Sequence, residues 1–335
     1  MMTSFLVVTF GLPCASALLA REIPLLTHER PQLTTSRLRM SAPGFPFSLV
    51  TVQPTFTIND LSATKQILDN YLKRSRSDNG LVYCGWSATR SVRDASVQGG
   101  FREAVGDKLF LRQAYPDGMA ATSHITSHLA PCVEALLSGP LSLDSLEVHG
   151  SADSLATCSA AVEDMGPASV FETLCGVSFL EKPSGGVPLA MSLTAVHSRF
   201  TVADWALVSP ILDDAVERTR ANERNGCIYS GFSRSGNELC CTEAFGSPAA
   251  VARHVENVAT CAEALLAGPA VLTRTAVHSS ELNLRDYKEQ MRRPGVYGDA
   301  QPLYFCKGSS SECGEDGGFS RFEVQQSLNI FGFTF

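Results

Sequence analysis

The sequence has no cluster of lysine or arginine residues and no excess of positive charge. Its 335 residues carry 27 Lys and Arg against 34 Asp and Glu, which gives a net charge of −7 and an isoelectric point near 5.5. Nucleic-acid binding needs a basic face, so we exclude DNA and RNA as partners. With 44% apolar and 18% charged residues, the chain has the composition of a packed globular protein and is long enough for two domains.

The sequence also lacks an apolar run long enough to span a bilayer. The first residues, MMTSFLVVTFGLPCASALLA, contain a short apolar run that ends at Ala15-Ser16-Ala17, a pattern typical of a signal-peptide cleavage site. The segment that follows is rich in Arg, Ser and Thr, as in an organelle transit peptide. This tandem resembles the leader of plastid proteins in algae with secondary plastids, although Leu18 stands where Phe is usual. We predict a leader over residues 1–45, delivery to the plastid with secretion as the alternative, and no stable membrane span in the mature chain.

The eleven cysteines do not follow the regular spacing of a disulfide framework. Most of them lie in apolar segments, where we expect small buried side chains. These are Cys84, Cys132, Cys227, Cys240, Cys241 and Cys261. Cys306 and Cys313 flank the polar segment KGSSSE, the one loop in which a disulfide would form easily.

One segment of the sequence occurs twice. CVEALLSGP at Cys132–Pro140 returns as CAEALLAGP at Cys261–Pro269. The similarity extends along both halves: FTINDLSATKQILDNYLKRSR matches FTVADWALVSPILDDAVERTR, NGLVYCGW matches NGCIYSGF, and DKLFLRQAY matches NELCCTEAF. We infer a duplicated domain, with copy one at residues 46–185, copy two at residues 190–306, and a Gly/Ser loop with an aromatic tail at residues 307–335.

Both copies predict the same order of secondary structure. An alternating strand comes first, an amphipathic helix follows, and two paired strands, a second helix and a last strand complete the unit. This β-α-β-β-α-β order is the ferredoxin-like arrangement, in which two helices cover one face of an antiparallel sheet. The other face of each sheet needs a cover as well. We therefore predict an α+β fold in which two tandem ferredoxin-like domains form one intramolecular pseudo-dimeric barrel.

Each copy is followed by an extension. We pair PASVFETLCGVSFLEKPSGG after copy one with RRPGVYGDAQPLYFCKGSSS after copy two, since each ends in an aromatic run before a Ser/Gly loop. The last segment, GEDGGFSRFEVQQSLNIFGFTF, is too apolar to remain unpacked and exposed to solvent. We expect it to dock on the barrel or on a partner.

Four motifs of copy two carry a family resemblance: FTVAD at Phe200–Asp204, NGCIYSGF at Asn225–Phe232, ELCCTEAF ending at Phe245, and ARHVENV at Ala252–Val258. They resemble the antibiotic biosynthesis monooxygenase family, which has the dimeric α+β barrel fold. The resemblance covers about residues 46–305 by eye. It implies an oxygenase that oxidises a small aromatic or quinol with O₂ and needs no metal or cofactor. The same barrel hosts other activities, so a non-catalytic module that binds a hydrophobic small molecule and an assembly protein are the alternatives.

The resemblance implies catalytic residues in copy two. His254 on the second helix matches the histidine of the family, and Asn257 lies one turn further along the same helix. Tyr229 and Glu243 reach the same cleft if their side chains point to the helical side of the sheet. Phe232 is assigned to substrate binding. We expect a base to take a proton from a ring hydroxyl and a nearby donor to stabilise the resulting anion.

Copy one departs from this pattern, since Gln113 stands where copy two has Glu243. We assign four of its side chains to substrate binding: His124, His128, Tyr83 and Trp86. Two histidines spaced i,i+4 can also bind a metal. No carboxylate lies in the same helix at a useful spacing and the sequence has no HExxH motif, so we predict no metal site. Both helices end in apolar EALL residues where an axial histidine would be expected, which disfavours haem.

Several of these residues also have a structural interpretation. His149 and His278 end the last strand of their copies, where a hydrogen bond that closes the strand onto the loop would explain the repeat. Tyr83 and Tyr229 are core aromatics in this interpretation, as is Trp86. His254 is then a structural histidine as well.

Overall fold

The computed structural model describes residues 48–75, 78, 80–91, 104–179, 193–222, 226–291 and 319–329. The predicted leader, residues 1–45, lies outside these residues, as do Cys306 and Cys313. Among the helices within the described ranges, none is long and apolar enough to cross a membrane.

Copy one forms the predicted unit and adds a helix and a strand. Its first elements are β1 (Val50–Ile58), α1 (Leu61–Ser75), β2 (Tyr83–Ser91) and β3 (Ala104–Tyr115). The second helix has three consecutive segments, which are α2 (Gly118–His124), a π-helical turn (Ile125–Leu129) and α3 (Ala130–Leu137). The copy ends with β4 (Leu141–Gly150), α4 (Ala152–Glu163) and β5 (Ser169–Ser178).

Copy two repeats this order. Its first elements are β6 (Thr194–Val202), α5 (Trp205–Ala221), β7 (Cys227–Ser235) and β8 (Glu238–Phe245). The second helix, α6 (Pro248–Leu266), is one regular α-helix. The copy ends with β9 (Ala270–Ser279), α7 (Glu281–Met291) and β10 (Phe319–Asn329).

The ten strands close into one barrel in the order β1-β3-β2-β10-β9-β6-β8-β7-β5-β4. Strand β5 runs parallel to β4 of its own copy and then pairs antiparallel with β7 of copy two. Strand β10 runs parallel to β9 and pairs antiparallel with β2 of copy one. Each copy thus joins its sheet to the other through its last strand, which satisfies the edges that two separate sheets would leave open. The predicted intramolecular pseudo-dimeric barrel is confirmed.

Strand β10 lies inside the segment predicted as a C-terminal tail, residues 307–335. It holds the place in copy two that β5 holds in copy one, because β5 sets Phe171 opposite His149 and β10 sets Phe322 opposite His278. The repeated extensions are therefore FETLCGVS and FEVQQSLN, and the pairing made from the sequence is wrong. The reason is a length difference, since residues 164–168 connect α4 to β5, whereas residues 292–318 connect α7 to β10.

The helices cover the outside of the barrel over two apolar cores, one in each copy. Helix α5 buries Val208, Leu212 and Val216 at four-residue steps, as an amphipathic helix does. Helix α1 likewise buries Leu68 and Tyr71. The eight cysteines within the described ranges are buried free thiols, and they include the six predicted to be so.

The π-helical turn accommodates one extra residue in copy one. Asp117 caps α2 and Ser247 caps α6, and each side chain accepts a hydrogen bond from a backbone N–H three residues on. His124 and His254 both lie seven residues after their caps. The sequences at the ends of the two helices also match. Copy one, however, has one residue more between its histidine and the repeated cysteine than copy two has.

The π turn accommodates the extra residue between His124 and Cys132. The Ala130 N–H bonds to the Ile125 carbonyl five residues back, so that the turn holds one residue more than an α-helical turn. Pro131 follows directly and has no N–H to donate, which removes one α-helical bond at the same place. The histidine at the start of the helix and the apolar positions at its end therefore keep their places in both copies.

Candidate functional site

Copy two has a small apolar cleft between its helices and the outer face of the sheet. Its volume is about 30 Å³, which is room for roughly two water molecules. Side chains from α5, α6, β7 and β8 line it, among them Ala215, Phe232, Glu243, His254 and Val258. The predicted residues His254, Glu243 and Phe232 are thus brought together at one cavity.

His254 and Glu243 form a buried pair in this cleft. Nε2 of His254 lies 2.8 Å from Oε1 of Glu243, and the two side chains are 1% and 3% exposed. The hydroxyl of Ser230 donates to the same Oε1 at 3.3 Å. Nδ1 of His254 has no hydrogen-bond partner among the described residues. A carboxylate at Glu243 holds the proton on Nε2 and leaves the Nδ1 lone pair able to accept a proton.

The structure does not bring Asn257 to this cleft. Its side-chain amide donates to the backbone carbonyl of Arg218 at 3.0 Å, and its Oδ1 accepts from the side chain of Asn222 at 2.7 Å. Arg218 and Asn222 lie at the C-terminal end of α5. Asn257 therefore bonds to the last turn of α5, through a backbone carbonyl and the side chain of the C-cap residue.

Tyr229 also lies away from His254. Ser230 and Phe232 of β7 line the helical cleft, so strand alternation turns Tyr229 to the barrel interior. The tyrosine hydroxyl lies over Gly231, where a side chain would clash with it. Burial raises the pKa of Tyr229 to about 12, against the opposing charge of Arg112. Tyr83, its counterpart in copy one, also faces Arg112, and burial raises its pKa to about 12 as well.

The equivalent position in copy one has different neighbours. Nε2 of His124 lies 2.9 Å from the hydroxyl of Tyr71, and Nδ1 lies 2.6 Å from Oδ2 of Asp78. The thiol of Cys84 donates to the same tyrosine hydroxyl at 3.6 Å. His124 is fully buried and both of its ring nitrogens have partners. The side chain of Tyr71 stands where copy two has Ala215, which fills the space that is open in copy two.

The pKa values in this cluster follow from burial and hydrogen bonding. Burial lowers the pKa of His124, although its hydrogen bond to the Asp78 carboxylate works in the opposite direction. Burial opposes ionisation of Asp78, but hydrogen bonds from His124 and the Gly80 amide hold its pKa below the ordinary value. His128 is half-buried, and its ring lies 5.1 Å from that of His124 between centroids. Trp86, which was assigned to substrate binding, is buried in the apolar core of copy one and is a core aromatic residue.

The barrel interior is polar, which the sequence did not predict. Nδ1 of His149 is hydrogen-bonded to the Ser233 hydroxyl at 2.8 Å, and Nδ1 of His278 is bonded to the Ser87 hydroxyl at 2.8 Å. These two bonds are related by the duplication, and each joins one copy to the other. The repeated histidines thus do form structural hydrogen bonds, but to the opposite copy instead of their own loop.

Arginines accompany these histidines inside the barrel. Nη1 of Arg112 donates to Nε2 of His197 at 3.1 Å, which requires a neutral ring with its proton on Nδ1. Nη2 of Arg199 lies 2.5 Å from Oε2 of Glu147. Burial alone would raise the pKa of Glu147, but His149 and the charge of Arg199 lower it to about 2. Glu147 is therefore ionised at neutral pH.

Burial and the arginine charges also act on the interior histidines. The pKa values of His197 and His278 lie well below the ordinary value, first because of burial and then because of Arg112. Burial lowers the pKa of His149 as well. A cavity of about 40 Å³ lies among these histidines, Glu147 and Arg274. At neutral pH the interior histidines are uncharged hydrogen-bonding groups.

One signal in the sequence could have identified this interior. His149, His197 and His278 each follow a buried valine on a different strand, so alternation sets them on the face opposite the helices. The partner of His124 had no such signal, because Asp78 lies between α1 and β2, far from the helix in sequence.

No protein-family profile matches the chain, and no curated protein does. Among solved structures it is similar to a proposed monooxygenase from Lactobacillus acidophilus, at 14% identity over 69% of this chain and 91% of that chain, with a TM-score of 0.43. A proposed monooxygenase from Fusobacterium nucleatum is 9% identical, with 85% and 96% of the two chains covered and a TM-score of 0.44. An anthrone oxidase-like protein is 9% identical, with 84% and 94% covered and a TM-score of 0.37.

At these identities and TM-scores the similarities say nothing about substrate or activity. The fold assignment rests on the strand order and on the two βαββαβ units of this chain. The chain has the dimeric α+β barrel fold, built within one polypeptide by its two copies.

Proposed function

We propose that the protein is an oxidoreductase that oxidises a small aromatic or quinol with O₂ at the cleft of copy two. One observation carries the proposal, namely the buried His254–Glu243 pair at an apolar cleft. A histidine oriented by a carboxylate is the arrangement that general-base catalysis needs. In copy one the equivalent histidine, His124, has partners at both ring nitrogens, Asp78 at Nδ1 and Tyr71 at Nε2, so neither nitrogen is left to act as a base.

The proposed reaction starts with the removal of a proton from the substrate. Nδ1 of His254 takes a proton from a ring hydroxyl, and Glu243 stabilises the imidazolium through the bond at Nε2. The electron-rich anion then reacts with O₂. In the monooxygenase outcome, one oxygen atom enters the ring and the other leaves as water with two hydrogens of the substrate, so a hydroquinone becomes a hydroxyquinone without another reductant. The apolar side chains of the cleft exclude water from the anion.

The size of the cleft sets a condition on this reaction. Ligand sites usually enclose about 300 Å³ or more, whereas this cleft has about 30 Å³. Substrate binding therefore requires α5 or α6 to move away from the sheet. The same condition applies to the second candidate, a non-catalytic module that binds a small hydrophobic molecule in this cleft.

The test is oxygen consumption by the purified protein with a panel of hydroquinones and phenols. We expect uptake above the blank that His254→Ala lowers by about 100-fold or more, because a positioned base contributes 10²–10⁴-fold. Glu256→Gln is the matched control, since this exposed side chain lies on the same helix. No uptake with any substrate, together with ligands that raise the melting temperature, would establish the binding module instead.

We also propose that residues 1–45 direct the chain to a plastid, on the composition of the leader alone. A fluorescent protein fused behind these residues would accumulate in the plastid of an algal host. Export of the fusion into the medium would establish secretion.

A further inference from the structure

Copy one brings three metal-ligating side chains together, one of them buried and two half-buried. Asp78, His124 and His128 each offer one ligand atom, and these atoms all lie within 4.8 Å of one another. We propose that Asp78, His124 and His128 bind a divalent transition-metal ion of the zinc class. This inference does not depend on the proposed oxygenase activity, since it concerns the other copy.

The two histidines lie four residues apart, about one helical turn. His124 ends α2 and His128 lies inside the π turn. Their rings lie 5.1 Å apart between centroids and face the same side. π turns are frequent at functional sites. Copy two has no such turn, and its helix offers His254 with Asn257 in place of a second histidine.

The carboxylate comes from a different element. Asp78 lies between α1 and β2, and its Oδ2 is 2.6 Å from Nδ1 of His124. An ion bound there takes the place of the proton between these two atoms. Ligand atoms around a tetrahedral Zn²⁺ lie about 3.3–3.5 Å apart, given metal–ligand distances of about 2.0–2.2 Å. The Asp78–His124 contact must therefore widen by less than about 1 Å, and His128 must move closer.

The site is accessible from solution, although His124 itself is buried. Asp78 and His128 are half-buried, which leaves the site open to ions from solution.

The second ring nitrogen of His124 has the partner that a metal-bound histidine needs. Nε2 lies 2.9 Å from the hydroxyl of Tyr71, which orients the ring and can accept the Nε2 proton when Nδ1 binds a metal. Two nitrogens and one oxygen are a ligand set typical of Zn²⁺, Co²⁺ and Ni²⁺, with one position left for water. Ca²⁺ and Mg²⁺ prefer oxygen ligands, so we expect them to bind poorly.

The experiment is a titration of the untagged, reduced protein with Co²⁺, followed by visible absorption, and then competition with Zn²⁺. We expect one equivalent of Co²⁺ with the intense bands of a four-coordinate site. His128→Ala and Asp78→Asn each remove a ligand and should weaken binding by more than about 100-fold. Tyr71→Phe removes only the supporting hydroxyl and should weaken it by about 10- to 100-fold.

Asn257→Ala is the matched control, because it alters the corresponding turn of copy two and should leave Co²⁺ affinity unchanged. Circular dichroism of each variant shows whether it is folded. Folded His128→Ala and Asp78→Asn variants that bind Co²⁺ as tightly as the wild type would overturn the proposal. So would wild-type protein that binds no Co²⁺ or Zn²⁺ at pH 7.5.

Discussion

The two copies place a histidine at the same point of the same helix and surround it differently. His124 in copy one bonds to Tyr71 and Asp78, and its cleft is filled by the tyrosine ring. His254 in copy two bonds to Glu243 beside a small open cavity. The duplication thus preserved the helix position, while neighbouring strands and helices gave each histidine its own chemistry.

Small substitutions at three matched positions explain most of this difference. Tyr71 corresponds to Ala215, Gln113 to Glu243, and Cys84 to Ser230. The first pair decides whether the cleft is filled, and the second decides whether the histidine has a carboxylate partner from the sheet. Copy one obtains its carboxylate from Asp78 instead, outside the cleft.

The largest expected effect comes from opening the cleft of copy one. Tyr71 is fully buried, so Tyr71→Ala should lower the free energy of unfolding by about 3–5 kcal/mol, as other large aromatic truncations in cores do. Tyr71→Phe keeps the ring and should cost about 1 kcal/mol through the lost bond to His124. Urea denaturation of both variants measures the difference. A loss below 1 kcal/mol for Tyr71→Ala would show that the tyrosine does not fill the cleft.

The next effect comes from giving copy two the residue of copy one. Glu243→Gln keeps the shape but removes the charge that orients His254, and should lower kcat for quinol oxidation by about 100-fold, or about 2.7 kcal/mol in barrier height. Gln113→Glu in copy one is the matched change, and it should not create a second active cleft, since Tyr71 occupies the space. Steady-state oxygen uptake measures both. Equal rates for Glu243→Gln and the wild type would remove this pair from the mechanism.

Lowering the pH should lower the free energy of unfolding through the histidines of the barrel interior, which both copies share. The pKa values of His197 and His278 are depressed in the folded state, so the unfolded chain binds more protons below about pH 6.5. Their contribution to stability is present above that pH and is lost as the pH falls toward the folded values. Lowering the pH from 7.5 to 5.5 should cost about 1.4 kcal/mol for each histidine, or roughly 2–3 kcal/mol in all.

Urea denaturation at the two pH values measures this loss. His197→Gln together with His278→Gln should make it smaller. A stability that stays constant between pH 7.5 and 5.5 would contradict burial of these histidines in the neutral form.

The smallest expected effect tests the symmetry of the two copies. Ser87→Ala and Ser233→Ala each remove the hydroxyl bonded to a histidine of the other copy, and should each cost about 1–2 kcal/mol because a buried ring nitrogen loses its partner. The two costs should be similar and should add in the double variant, since the sites are separate. A large cost for one serine alone would show that one copy dominates the interface.

Prediction from the sequence succeeded where the signal was local or repeated. The repeat and its periodicity gave the order of strands and helices and the tandem barrel. They also brought His254, Glu243 and Phe232 to one cleft. Asn257 and Tyr229 were placed by helix spacing and by an assumed strand face, and both turned out to have other neighbours. One residue of strand register separates the helical cleft from the barrel interior, and motif spacing alone does not fix it.

The sequence by itself determined the duplication, the buried cysteines and the apolar faces of the helices, because these depend on side chains a few residues apart. Only the tertiary structure decided that Asp78 meets His124, that residues 319–329 complete the barrel as β10, and that histidines of one copy bond to serines of the other. Each of these joins residues far apart in the chain. Such contacts depend on sheet register and on the closing of the barrel, which no local pattern encodes.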